Sequence, residues 1–393
     1  MAGTLVELTP EQIAAFAADE PSWLLERRLA ALGRVGELPL RQSKQTPLET
    51  APFIALDLAQ APSVTAGAVP AGVEMVDLRT AIEQGRPAVQ QHLGRLFTEG
   101  ETRLHALHLA TFAGGAFCRV ERGVELQEPL QLTVELESGA LYAPHVLVVL
   151  EEGARADLIV ELRGEAGTEA AVRGAVEIVL GDNAALNYTE FQRVPGRTQT
   201  YWPRRAELGR DAKLHWILAD VGARLAVADT RTYLRGNGAE ARVLASFFGG
   251  RRQHFDFNHV MVHEGQHTTS DIEARGVLQG RARAVYNANS VIRKSAKGAS
   301  GWQHEHTLML SDEARADLIP ELEISEWEVS AGHAASAGPV DPMQVYYMES
   351  RGISPVESRR LIVAGFLASL LQDIPLASVR ERIADIFQEK VEL

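Results

Sequence analysis

Apolar residues change their spacing twice along this chain, and the changes divide it into three stretches. From 1 to about 112 the spacing is mainly helical. Thr9-Pro10-Glu11-Gln12 reads as a helix start, with a threonine cap, proline in the first position and glutamine three residues after the cap. "PSWLLERRLAAL" continues that period, and "PLRQSKQTPLETAP" reads as a connector. A second helical run, "AIEQGRPAVQQHLGRLF", is interrupted by Gly85 and Pro87.

From 113 to 328 the apolar residues alternate or gather in short runs: "LQLTVEL", "HVLVVLE", "ADLIVELR", "AVEIVLG", "ARVLASFF". These are strand patterns separated by turn residues. They also repeat. A small turn, an alanine and a strand recur in "EGARADLIVEL", "GDNAALNYTEF", "GRDAKLHWILA", "GNGAEARVLAS", "GRARAVYNANS" and "SDEARADLIPEL", with alanine at 154, 184, 212, 239, 282 and 314. Four of the five gaps are 27 to 32 residues and one is 43. A β-sandwich gives turn signals every 8–12 residues or so without such a motif. The longer period predicts a β-solenoid, in which small residues at the corners let coils stack and each coil buries its inward face on its neighbours.

Helical spacing returns after 340, so 329–393 reads as a C-terminal helical domain. In "VDPMQVYYMESRG", Asp341 is the expected cap, Pro342 the first helical residue, Gln344 the partner of a capping box and Gly352 the terminator. "ISPVESRRLIVAGFLASLL" repeats the device with Ser354, Pro355 and Glu357, and places Leu361, Val363, Phe366, Leu367, Leu370 and Leu371 on an apolar face. "SVRERIADIF" aligns Val379, Ile383, Ile386 and Phe387 on one side of a last helix.

Composition narrows the function classes. A chain of 393 residues with 46% hydrophobic and 23% charged residues is ordinary for a globular protein. A net charge of -13 and the lack of any basic run argue against nucleic-acid binding. With one cysteine, Cys118, the chain can form no internal disulfide and cannot build a cysteine-rich metal site alone. "MAGTLVELTPEQIAAF" lacks the basic flank and long apolar core of a signal peptide, and no apolar run reaches membrane-spanning length. The expectation is a cytoplasmic protein without a membrane partner.

Of twelve histidines, six lie between 254 and 306, and His333 follows. In a strand, His304 and His306 share one face and Glu305 takes the other, so the two imidazoles are weak metal candidates against a surface role. His263 and His267 have the spacing of a helical metal pair but sit in a strand-and-turn context around Gly265. His333 lies in "SAGHAASAG", among Ser, Ala and Gly only. Small neighbours allow another backbone to come close and leave the imidazole uncovered. No G-x-S-x-G, Walker or dinucleotide-binding glycine motif is present. "RGNGAEAR" and "RKSAKG" read as solvated coil edges. A β-solenoid carbohydrate lyase or hydrolase is the competing class; it requires an acidic or basic cluster along a groove.

From about 255 onward the chain resembles the SufB/SufD family of iron–sulfur cluster assembly proteins. "HEGQHTTSDIEARGVLQGRARAVYNANSVI" is similar to the family's HxxxxTxS segment followed by RGVLxG. "LMLSDEARADLIPELEIS" resembles its LLLS…P.LEI segment, and "VSAGHAASAGPVDPMQVYYMESRGISPVESRRLIVAGF" its SHGATVG…SRGI tail. The resemblance implies a right-handed parallel β-helix with helical domains at both ends. It is closer to the SufD branch: where SufB carries a cysteine before the "LMLS" position, this chain has Glu305.

The resemblance further implies a non-catalytic scaffold that pairs with a SufB-like paralogue and docks a SufC-like ABC ATPase, which would hydrolyse the ATP. His333 falls on the family's interface histidine, although SHGATVG has become Gly332-His333-Ala334-Ala335-Ser336-Ala337-Gly338. It is therefore the cluster-assembly and metal candidate, with no permanently bound cofactor and with iron or an iron–sulfur cluster shared transiently with SufB. The SufC-docking candidates are Tyr346, Tyr347, Met348, Arg351, Gly352, Glu357 and Arg360. A homodimer using the same seam is the remaining alternative.

Overall fold

The computed structural model describes residues 8–391 except 42, 44, 99, 100, 373 and 375. Its body is a parallel β-solenoid of about eight coils. Each coil contributes to both of two sheets, and in the early coils the sheet-two strand is split, as in Ala171–Arg173 with Ala175–Leu180 and Gln199–Tyr201 with Arg204–Leu208. Sheet one runs through Leu130–Leu136, Arg155–Gly164, Ala185–Arg193, Lys213–Asp220, Glu240–Gly249, Thr269–Leu278, Ser300–Met309 and Ser330–Pro339, all in parallel register. Sheet two ends on Leu225–Leu234, His254–His263, Arg283–Ile292 and Arg315–Ile324.

The corners explain the alanine repeat. Gly153, Asn183, Asp211, Gly238, His267 and Gly298 each have a left-handed backbone, with φ between 54° and 75°. Each is followed by a small buried residue that opens a strand of sheet one: Ala154, Ala184, Ala212, Ala239, Thr268 and Ala299. Glycine, asparagine and aspartate tolerate that conformation at little cost. Ala282 and Ala314 instead open strands of sheet two. The gap of 43 between 239 and 282 therefore crosses from one corner to the other.

In-register stacking turns single positions into columns that run the length of the core. One inward column of sheet one reads Leu158, Tyr188, Trp216, Val243, Ile272, Gln303, His333. The next reads Val160, Glu190, Leu218, Ala245, Ala274, Glu305, Ala335. Trp216 anchors the middle: it is fully buried, sits edge-on to Tyr188 at 5.0 Å, and donates from Nε1 to Thr232 Oγ1 at 3.0 Å.

The two ends of the solenoid differ. At the start, Ser63–Ala66 and Val73–Asp77 pair antiparallel with the first strand of each sheet. These short strands interrupt the helical spacing expected over 1–112. The helices around them form as expected: Thr9 makes a capping box with Gln12, and the second run breaks at Gly85 into Leu78–Glu83 and Pro87–His92. Glu177 ties this region down by accepting from Gly94 N at 2.6 Å, Leu96 N at 2.7 Å and the His145 ring at 3.2 Å. At the far end, Arg315–Ile324 and Ser330–Pro339 are the last strands of their sheets. The second of these lies beyond 328, in a stretch too rich in Gly, Ala and Ser to carry a strand signature.

The C-terminal helices Pro342–Glu349, Pro355–Leu371 and Ala377–Val391 form where helical spacing returns, although Gln344 does not close the expected capping box with Asp341. Asp341 accepts from Met343 N, Ser354 accepts from Glu357 N, and Gly352 has φ +84°. Val363, Leu367, Leu370, Val379, Ile383, Ile386 and Phe387 bury their side chains against Ile159, Ile217, Leu244, Phe248 and Val277 on the outer face of sheet one. Leu361, placed on the apolar face by its spacing, stays exposed, because the packed stripe is narrower than the apolar one. The helices thus flank the solenoid and leave its far end uncovered.

Trp216→Ala should lose about 3–5 kcal/mol of stability, because it opens a cavity that the coil stack cannot close. Equilibrium urea unfolding measures it, and a loss below about 1 kcal/mol contradicts a tightly stacked core.

Candidate functional site at the open end of the solenoid

A solenoid buries each inward row only by adding the next coil. At the far end there is no next coil, so Ser330–Pro339 and Arg315–Ile324 each present an unpaired strand edge. The loop joining them carries Trp327, which is 96% exposed. His333 occupies the last position of an inward column and is exposed because nothing stacks on it. Its inward neighbours on the strand, Ala331, Ala335 and Ala337, end in methyl groups. The imidazole is therefore the one inward polar side chain of the terminal strand.

His304 and His306 lie on the outer face, opposite Glu305. His304 Nδ1 is 3.8 Å from the Asp271 carboxylate, and His306 Nδ1 shares a hydrogen bond of 2.7 Å with Ser336 Oγ. Burial, then Arg275 and His304, lower the pKa of His306. Neither ring turns toward His333. His263 and His267 do not converge. His263 is an inward core residue bonded to Thr268 Oγ1 and Ser270 Oγ, both at 2.8 Å, with its pKa lowered to about 4 by burial. His267 forms a left-handed corner. Among the described residues, no group of three or more His, Cys, Asp or Glu is arranged to hold a metal ion.

Two carboxylates in one inward column have opposite surroundings. Glu190 accepts from Tyr188 Oη at 2.8 Å, Trp202 Nε1 at 2.9 Å and the Arg204 guanidinium. Glu305, four coils further on, is fully buried and neither of its oxygens has a hydrogen-bond partner. Burial pushes its pKa up to about 7. Beside it, Gln303 donates from Nε2 to Ser290 Oγ at 2.8 Å and to the Glu321 carbonyl at 3.0 Å, and its buried Oε1 has no partner. Sequence alone could place Glu305 opposite the two histidines. It could not show that the core supplies it no donor.

The docking candidates form a second surface. Tyr346 and Tyr347 are 65% and 60% exposed, and Met343 on the same helix is 68% exposed. Arg351 donates to Tyr347 Oη at 3.1 Å and lies over its ring at 5.2 Å. Met348 is half-buried, and Gly352 turns the chain toward the next helix. Glu357 and Arg360 pair at 3.5 Å and line a cavity of about 380 Å³ with Leu361, Leu367 and Phe387, between the last two helices. A second hollow of about 410 Å³ includes Met343, Tyr347 and Met348.

Cys118 lies in Gly115–Val120, near the other end of the solenoid, buried with its pKa pushed up to about 12 by desolvation. A thiol held neutral is neither nucleophile nor metal ligand. No described helix is long and apolar enough to cross a membrane.

The fold is a helix-flanked parallel β-solenoid, left open at one end. Residues 133–366 match the family model described as "SUF system FeS cluster assembly, SufBD core domain". The iron-sulfur cluster assembly protein SufD of Bacillus subtilis (strain 168) is 30% identical over 434 aligned residues, covering 99% of each chain. An iron-sulfur cluster assembly SufBD family protein of Staphylococcus haemolyticus (strain JCSC1435) is 25% identical over 307 residues, covering 78% of this chain and 66% of its own. The chain belongs to the SufBD family of iron–sulfur cluster assembly proteins.

Folded protein should resist iodoacetamide at about pH 8 and take up one label per chain after unfolding, because only the exposed thiolate reacts. Rapid labelling of the native chain, read by intact mass, would contradict a buried neutral Cys118.

Proposed function

We propose that this chain is the SufD-like scaffold subunit of an iron–sulfur cluster assembly complex. Its uncovered end pairs with a SufB-like paralogue, and its C-terminal helices dock a SufC-like ABC ATPase. The observation that carries the reading is the bare terminal coil, with His333 at the head of an inward column. Two unpaired strand edges and an exposed tryptophan favour a partner that continues the sheets. Small side chains around His333 let a second backbone approach closely.

Iron and sulfide are cargo in this reading. The chain offers an imidazole at the seam, and its single thiol is buried elsewhere. A neutral imidazole is a borderline ligand for iron, so the sulfur ligands of a nascent cluster come from the partner. The exposed Tyr346, Tyr347 and Met343, with Arg351, have the composition of an interface hot spot. Because the helices pack on the outer face of sheet one, ATP-driven movement of a docked ATPase would be passed to the coils beneath.

Co-expression with SufB-like and SufC-like partners tests the reading. Wild type should co-purify with both and carry iron and sulfide. His333→Ala should keep the complex while lowering iron and sulfide about tenfold. Tyr346→Ala with Tyr347→Ala should release the ATPase and keep the paralogue. Failure of the wild type to join any complex, or a stable homodimer that does not exchange with the paralogue, would sink the scaffold reading.

A further inference from the structure

Gln303 and Glu305 point inward from the next-to-last strand of sheet one. Three of their oxygens are buried without a hydrogen-bond partner: Gln303 Oε1 and both oxygens of Glu305. Such groups are rare, and each calls for a missing partner. Two neighbouring donors are already engaged. Gln303 Nε2 serves Ser290 and the Glu321 carbonyl. The Tyr286 hydroxyl shares a hydrogen bond of 2.6 Å with His259 Nδ1. Burial and, next, the charge of Glu305 hold the Tyr286 phenol well above its ordinary pKa, which fits a carboxylate facing it across the core.

The same fold satisfies Glu190 with a phenol, an indole and a guanidinium. Around Glu305 it places Ala274 below and Ala335 above in the column. Protonation would turn one carboxyl oxygen into a donor for Gln303 Oε1 and still leave the second carboxyl oxygen unmatched. A hard cation satisfies all three, since carboxylate and amide oxygens are its preferred ligands. Access is provided by the bare end: between Glu305 and solvent the terminal strand offers only the small inward residues Ala331, Ala335 and Ala337 beside His333.

We propose that the inner face of Ser300–Met309 holds one divalent metal cation on the Glu305 carboxylate and the Gln303 amide oxygen, with water completing its shell. The cation enters through the open end of the solenoid. The site lies one coil beneath His333 and belongs to the isolated chain. It needs neither the paralogue nor the ATPase, so it stands or falls apart from the scaffold reading.

The test uses the full chain without partners, titrated with Mn²⁺ and followed by the electron paramagnetic resonance signal of the free ion. At about pH 8, where the carboxyl is ionised, wild type should bind one Mn²⁺ per chain. Glu305→Gln should weaken binding about tenfold or more, while His333→Ala should retain it. Glu305→Gln removes a buried charge, so it should melt no lower than wild type when metal-free. If that variant fails to fold, Gln303→Leu replaces it and is read the same way. If wild type binds no Mn²⁺, the proposal fails. It fails equally if Glu305→Gln binds as wild type does, which would place the ion on surface carboxylates, or if His333→Ala alone abolishes binding.

Discussion

Everything at the open end of this molecule follows from one constraint: in a parallel solenoid, a coil's inward face is covered only by the coils on either side. Leu158, Tyr188, Trp216, Val243 and Ile272 are buried because each has a neighbour above and below in register. The start of the stack meets the constraint with two antiparallel strands. The far end leaves it unmet. His333 is exposed for that reason, although its column position is one that elsewhere holds tryptophan and isoleucine.

The sequence made the local devices plain. Thr9, Asp341 and Ser354 cap helices as their spacing predicts, and Val363, Leu367, Ile383 and Phe387 bury as their period requires. The recurring alanine identified stacked coils; at Ala154, Ala184, Ala212 and Ala239 the left-handed residue before it and the tight corner leave room for little else. What stayed hidden depends on register. The alanine series mixed two corners of the coil, and Thr268 interrupted it without disturbing the structure. Ser330–Pro339 lacks branched apolar residues, so only its pairing with Ser300–Met309 marks it as a strand. The contrast between Glu190 and Glu305 was invisible, since Arg204 and Trp202 reach Glu190 from the opposite sheet. The same holds for the contact of His108 with His145 at 3.0 Å, which joins an N-terminal helix to the solenoid across 37 residues.

The helices and the open end share sheet one. Arg275 donates to the Phe366 carbonyl at 3.3 Å, and the Arg382 guanidinium pairs with Glu161. These ties sit on coils separated by Ala185–Arg193, Lys213–Asp220 and Glu240–Gly249, so the helices are fastened over several turns of the stack. A close-packed core transmits displacement instead of absorbing it. Motion imposed on the helices would therefore reach the terminal edges as motion of a single body.

The burial of Cys118 bears on oxidative chemistry. Peroxide attacks thiolates and then carries them through sulfenic to irreversible sulfinic acid. This chain presents no such sulfur on its surface: its single cysteine is enclosed and neutral. Met343, two-thirds exposed on the helical surface, is the side chain an oxidant would find first there. Its conversion to the sulfoxide would make an apolar contact polar, in a form that reductases can reverse. Oxidation of Met343 would thus alter the helical face, away from the solenoid core.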